Sequence, residues 1–332
     1  MKATIQFVLK MFIVFLVSTI LVGAQKKPDG DNGKQPAFLV LEKGKLTLID
    51  ENGKNLKKIK IKDPVFDFVW VDPTTVFYSV LKKKTLQIFK LDPVSEAVKK
   101  IAEIKSTSNN TKYWMEGDEF SMSFIKKMLY VKCDYYEEFP YGFLPKKVYE
   151  IDPGSGKNRI IEMDQFFAIQ SDTTSAETTK PEPDAGLAKI RAAIQVNSDC
   201  ELEYTGADGR TKVITKTTDE KIREDGYDCV SFDVLPGGKK VIFFVFGGVG
   251  DFIHGPVYLV NLDGSQQKRI IDDVVDGPFV FAIEGSGKIF NIRNKDKSRD
   301  LISFKDDNSA VVLRTGIKKI EPCRKIVWTF SF

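Results

Sequence analysis

The chain of 332 residues predicts an all-β fold, a six-bladed β-propeller of four-stranded antiparallel blades. Three observations predict it. Helical periodicity is nearly absent after residue 24, and short strand-like runs dominate. A turn built on an aliphatic residue followed by Asp recurs along the chain. The two ends each hold an incomplete set of strands.

The recurring turns come first. They are Leu48-Ile49-Asp50-Glu51-Asn52-Gly53, Lys90-Leu91-Asp92-Pro93, Glu150-Ile151-Asp152-Pro153-Gly154 and the looser Thr205-Gly206-Ala207-Asp208-Gly209. Asn261-Leu262-Asp263-Gly264-Ser265 and Phe304-Lys305-Asp306-Asp307-Asn308 complete the set. Asp, Asn and Gly supply side-chain turn bonds and positive φ at such points. The turns lie roughly 42 to 60 residues apart, the spacing of a four-stranded blade.

Each period divides into strands. Blade two reads as Val65 to Val71, Val76 to Leu81, Thr85 to Leu91 and Val98 to Ile101. Blade five reads as Cys229 to Val234, Val241 to Phe246, Pro256 to Asn261 and Gln267 to Ile271. Blade six reads as Phe279 to Ile283, Lys288 to Ile292, Asp300 to Phe304 and Ala310 to Leu313. Residues 38–61 hold two good strands, and Lys325 to Phe332 holds one or two more. Pairing these ends closes the ring and removes the open sheet edges. Twenty-five Phe residues suit pleated, half-buried surfaces.

At blade five the residues resemble a known family. Ser231-Phe232-Asp233-Val234-Leu235-Pro236-Gly237-Gly238-Lys239-Lys240-Val241-Ile242-Phe243 is similar to the repeat element of TolB-like, WD-like propellers. Tyr258-Leu259-Val260-Asn261-Leu262-Asp263-Gly264-Ser265 resembles its companion element. The resemblance implies the fold over residues 38–332, and protein or ligand binding by analogy.

Residues 1–24 read as a signal peptide. Lys2 and Lys10 give the basic start, Met11 to Val22 the apolar run, and Val22-Gly23-Ala24 the small-residue cleavage pattern. The apolar run is shorter than the roughly 20 residues a membrane span needs. The expectation is an exported protein, periplasmic or secreted, with no membrane span after cleavage. Residues 25–37, charged and rich in Pro and Gly, read as a disordered lead; Ser171 to Ala188, with almost no large apolar residue, reads as a disordered loop inside blade four, with a boundary between two domains as the alternative.

Net charge is +4, falling to about +2 without the two signal-peptide lysines. Pairs such as Lys99-Lys100 and Lys126-Lys127 are dispersed and read as solvated turns and edges, so no nucleic-acid partner is expected. Cys133, Cys200, Cys229 and Cys323 form no CxxC motif; disulfides and buried thiols are equally open to them. Asn109-Asn110-Thr111 is a glycosylation sequon for a eukaryotic host.

Catalytic patterns are sparse. His254 is the single histidine, which excludes a multi-histidine zinc centre, and no G-x-S-x-G elbow occurs. Gly154-Ser155-Gly156-Lys157 and Gly285-Ser286-Gly287-Lys288 lack phosphate-loop spacing. Asp272, Asp273 and Asp276 lack the order of a calcium loop and read as an acidic turn. No cofactor or metal is expected.

Function is therefore placed on the longer connections, Asp134 to Lys146, Gly247 to Gly255, Arg293 to Arg299, Thr218 to Asp228 and Asp272 to Gly277. Candidate ligand-binding residues are Tyr135, Tyr136, Glu137, Glu138, Tyr141, Asp251, His254 and Arg293. Aromatic rings beside carboxylates suit a peptide, a sugar or a cation. The reading is a non-enzymatic propeller that binds a protein or peptide at the channel mouth. Its alternatives are a lyase or hydrolase on glycans or esters using acidic and Tyr residues with His254, and a structural envelope or secreted component.

Overall fold

The computed structural model describes residues 35–105, 122–138, 142–177, 185–215, 229–249, 252–275, 280–295 and 298–330. The signal segment 1–24, the sequon 109–111 and the connection 218–228 lie outside them. Among the described residues the fold is all-β apart from two helices, with six antiparallel sheets.

The first sheet contains β1 (Phe38–Glu42), β2 (Lys45–Ile49), β3 (Asn55–Lys58) and β23 (Lys319–Pro322), in the order β23-β1-β2-β3. The second is β4 (Asp67–Asp72), β5 (Thr75–Lys82), β6 (Thr85–Leu91) and β7 (Val98–Lys105) in simple succession. The third runs through β8 (Met122–Ile125), β9 (Met128–Glu138), β10 (Gly142–Ile151) and β11 (Asn158–Ile161). Helices α1 (Met163–Glu177) and α2 (Ala185–Ala192) follow.

The fourth sheet has three strands, β12 (Ile194–Val196), β13 (Leu202–Thr205) and β14 (Thr211–Val213). The fifth has β15 (Cys229–Val234), β16 (Lys240–Val249), β17 (Phe252–Asn261) and β18 (Lys268–Val275). The sixth has β19 (Val280–Ile283), β20 (Ile289–Lys295), β21 (Ser298–Phe304) and β22 (Ala310–Ile317), with β24 (Ile326–Phe330) added beside β19. The chain divides into two compact units, one built on the first three sheets and one on the last three.

All six recurrent turns join the last two strands of a sheet. In each well-formed case an Asp oxygen accepts N–H groups of the turn, as Asp50 Oδ1 does from Asn52 and Lys54 at 2.9 Å. Asp92, Asp152, Asp263 and Asp307 also take a Ser hydroxyl at 2.5–2.7 Å. These bonds hold the carboxyls of Asp92, Asp152 and Asp263 below the usual range and bring Asp307 down to about 2.

Within a unit, consecutive sheets pack face to face. On β16, Val241, Phe243 and Val245 face a cluster with Ile194, Leu202 and Ile214 of the fourth sheet and its end. The intervening Ile242 and Phe244 join Val280 and Phe330 of the sixth. Likewise on β5, Val76, Tyr78 and Val80 meet Leu39, Leu41 and Leu46, while Phe77 joins Met122, Leu129 and Val131. A sheet buried on both faces explains why such strands read as continuous apolar runs rather than alternating ones.

The turns also register one sheet on the next. Gly156, at φ 73°, leaves so little room that a Cβ there would lie 2.6 Å from the Ile101 carbonyl oxygen of β7. At Gly264, φ 81°, a Cβ would only touch Val213 and Ile214, at 3.4–3.6 Å. Lys57 of β3 donates to the carbonyls of Pro93 and Val94 in the next sheet's turn, both at 2.9 Å.

Several expectations are corrected. Residues 38–61 form three strands, and the terminal pairing partner of β1 is Lys319–Pro322, with Phe38 opposite Pro322. The segment from Lys325 instead supplies β24, where Trp328 pairs with Ala282. The lead segment is ordered at its end: Ala37 is fully buried, and Arg324 donates to the carbonyls of Gln35 and Pro36. Helix covers both ends of the segment 171–188. The cause lies upstream, where Phe166 of α1 is buried against Ile125, Tyr130 and Val148 of the third sheet. In α2, Leu187 and Ile190 dock on the fourth-sheet cluster.

Candidate functional site

Three of the connections expected to be loops are strand ladders. β9 pairs with β10 out to Tyr135↔Pro145, Tyr136↔Leu144, Glu137↔Phe143 and Glu138↔Gly142. β16 pairs with β17 through Gly247↔His254 and Val249↔Phe252. β20 pairs with β21 through Arg293↔Asp300 and Lys295↔Ser298. Phe139-Pro140-Tyr141 and the Gly247-Gly248 pair carry turn chemistry, which hid the pairing of their β-favouring flanks.

The β9–β10 ribbon is the longest of these. β8 accompanies β9 only as far as Val131, and β11 accompanies β10 only from Val148. Beyond that, among the described residues, two strands run on alone. Pro145 has no N–H to give a ladder and is placed where β11 no longer pairs.

The root of the ribbon is rigid. Glu150 is buried, accepts from Tyr130 at 2.9 Å through Oε2 and takes Arg159 Nε at 2.6 Å through Oε1. Burial, then the Glu150 bond, push the Tyr130 phenol far above its ordinary range. Glu150 is thus held as a strut.

The remaining candidates fall on other strands or outside the described residues. His254 stands in β17, opposed to Gly247 on one side and Val275 on the other. Arg293 is exposed on β20 and binds the buried Asp300 at 2.7 Å. Tyr141 and Asp251 lie outside the described residues. Asp272 and Asp273 belong to β18, and Asp276 is outside. Among the described residues no His, Cys, Asp and Glu side chains gather as a metal site. Cys133 is buried in the core between the second and third sheets, Cys323 packs beside the core between the first and second, and Cys200 is in a turn at φ 57°. No disulfide links these three to one another. Cys229 begins β15.

A cluster not anticipated from sequence joins β23 to β4. Lys319 is almost wholly buried; it donates to Asp67 Oδ1 at 2.9 Å and to the Phe68 carbonyl, and lies 3.3 Å from Glu321 Oε1. The carboxylates in turn cap strand edges: Glu321 accepts Trp70 N–H of β4, and Asp67 accepts Met122 N–H of β8 at 3.0 Å. Burial presses Lys319 toward neutrality, but Asp67 and Glu321 more than offset it and hold the ammonium above the lysine range. Burial lifts the Glu321 carboxyl to about 6 against the pull of Lys319. Lys318 extends the clasp by donating to the Phe66 carbonyl at 2.7 Å, with its ammonium 4.1 Å from the Phe66 ring centre.

No protein-family model and no curated protein sequence matches the chain. Solved structures that align with it include TolB from Acinetobacter baumannii, at 12% identity and TM-score 0.33, over 84% of this chain and 63% of that one. The chain therefore spans less than two-thirds of that TolB chain. A putative 6-phosphogluconolactonase from Bacteroides fragilis aligns at 12% identity and TM-score 0.32, over 92% of this chain and 100% of the other. A periplasmic gluconolactonase from Pseudomonas aeruginosa aligns at 9% and 0.29, over 86% and 98%. Among the described residues no helix is long and apolar enough to cross a membrane. Among the described residues the sheet order defines the fold: six antiparallel sheets, four of them four-stranded, with two helices.

Proposed function

We propose that the protein is an exported, non-enzymatic β-propeller whose six sheets are the blades of one closed ring, and that it binds a protein or peptide through the β9–β10 ribbon. One observation carries the binding site: among the described residues the ribbon runs on past β8 and β11, and it brings Tyr135, Tyr136, Glu137 and Glu138 onto a root pinned by the buried Glu150. A two-stranded ribbon is marginal in water on its own. Aromatic residues are the commonest anchors of interfaces. The pairing of β23 with β1 supports ring closure, and the apolar segment 11–22 followed by Val22-Gly23-Ala24 supports export.

The test is a capture experiment with the combined substitution Tyr135→Ser, Tyr136→Ser and Glu137→Lys. The expected result is loss of the captured partner with the melting temperature within about 2 °C of the parent, since changes outside the core cost little. Retained capture would refute the ribbon as the site. A catalytic reading would be favoured instead if the parent turned over a glycan or ester panel and His254→Ala abolished that turnover.

A further inference from the structure

The run Lys54-Asn55-Leu56-Lys57-Lys58-Ile59-Lys60-Ile61-Lys62 has no part in the proposed binding ribbon. It follows the first recurrent turn and passes through β3 in extended form. Ile59 is buried and Ile61 packs against the core between the first and second sheets. Alternation then forces the residues between them outward, and Lys58, Lys60 and Lys62 are all exposed. In extended chain, every second residue recurs about 7 Å along the strand. The Ile59 N–H···O=C Leu46 bond continues the β2–β3 pairing, which brings exposed Lys45 alongside Lys60.

The carboxylates nearby are occupied elsewhere. Asp50 is bound into its turn, Glu51 faces Arg324 at 3.6 Å, Asp63 pairs with Lys82 at 2.8 Å, and Glu96 pairs with Lys57 at 3.5 Å. Among the described residues no carboxylate pairs with Lys54, Lys58, Lys60 or Lys62.

The composition selects the partner. Arg and aromatic residues, the usual anchors of protein interfaces, are absent from the stripe, and Lys is depleted from interface cores. Single-stranded nucleic acid needs aromatic platforms, which the inward isoleucines do not provide. Exposed ammonium groups at every second residue, from Lys58 at the end of β3 through Lys60 to Lys62 beyond it, suit a linear polymer that repeats its charge. Lys-rich segments of this length are a recognised heparin-type pattern. We infer that the Lys54–Lys62 stripe is a binding surface for a linear acidic polysaccharide, one that carries sulfate or carboxylate groups at regular intervals.

The test measures binding of a heparin-derived octasaccharide to the full chain at about 0.15 M salt, near physiological ionic strength. Three proteins are compared: the parent, the stripe variant Lys58→Gln/Lys60→Gln/Lys62→Gln, and the control Lys84→Gln/Lys99→Gln/Lys239→Gln, in which exposed lysines scattered over other turns and strands lose the same charge. Circular dichroism confirms the fold of each. The stripe variant is expected to weaken binding about ten-fold or more and to lower the slope of log affinity against log salt by about 2, while the control stays within about two-fold of the parent. Equal losses in both variants would reduce the effect to net charge and overturn the site. Equal or tighter binding of an oligodeoxynucleotide of the same charge would overturn the polysaccharide assignment.

Discussion

Lys319 shows how one residue can be misjudged when its partner is far away in sequence. In Ile317-Lys318-Lys319-Ile320-Glu321 a lysine pair reads as solvated edge. Asp67 lies 252 positions earlier, and only the folded chain brings the two together. Removing one member of a buried ion pair leaves the other uncompensated, at a cost of about 3–5 kcal/mol. Lys319→Met is expected to fall in that range by urea unfolding. Glu321 sets a pH dependence of definite sign. Its carboxyl is lifted by burial to about 6 in the folded chain, against an ordinary value of 4.5 when unfolded. Between these values the folded chain holds a proton that the unfolded chain has released. This group therefore stabilises the fold below about pH 4.5 and loses that contribution, about 2 kcal/mol, as pH rises through 6. Glu321→Gln should remove this component: the stability difference between pH 5 and pH 7.5 should shift by about 1 kcal/mol relative to the parent, the share of the contribution that is lost above pH 5, and an unchanged profile would exclude Glu321 as its source.

At the scale of elements, the sequence was most legible where local chemistry decides structure. Each of the six Asp-centred turns joins the last two strands of a sheet, because an Asp that accepts N–H groups from residues just ahead acts within a few positions. Strand β15 was legible to the residue, Cys229–Val234. The ribbons were not, since glycine and proline signal turns locally while cross-strand pairing is decided by the partner strand. Helix α1 did leave a trace: Met163, Phe166 and Phe167 recur at helical spacing, but a Ser/Thr-rich remainder masked it. Its role is to cover the outer face of the third sheet, and Phe166 is 1% exposed there, tilted against Tyr130 at 5.5 Å between ring centres. Phe166→Ala is expected to cost about 3–5 kcal/mol in chemical denaturation. A loss below about 1 kcal/mol would mean that the helix is not needed to seal that face.

For the molecule as a whole, stability depends on how faithfully one sheet registers on the next. Gly156 is the sharpest case, with a positive φ of 73° and the Ile101 carbonyl where a Cβ would go. Gly156→Ala combines backbone strain with a steric clash, and a loss of about 1–3 kcal/mol is expected by thermal melting. Gly209→Ala, at φ 75° with nothing within 4 Å, isolates the strain alone and should lose less. Equal losses would show that sheet-to-sheet contact adds nothing at Gly156.

The route of the last residues has a consequence for biosynthesis. The chain leaves β22 in the sixth sheet, supplies β23 to the first, and returns as β24 to the sixth. Of the six sheets, the one synthesised first is therefore among the last to be finished, because Leu39 waits for Glu321 and Phe38 for Pro322. A nascent or prematurely terminated chain carries the bare edge of β1, where a protease or chaperone can tell it from the completed protein.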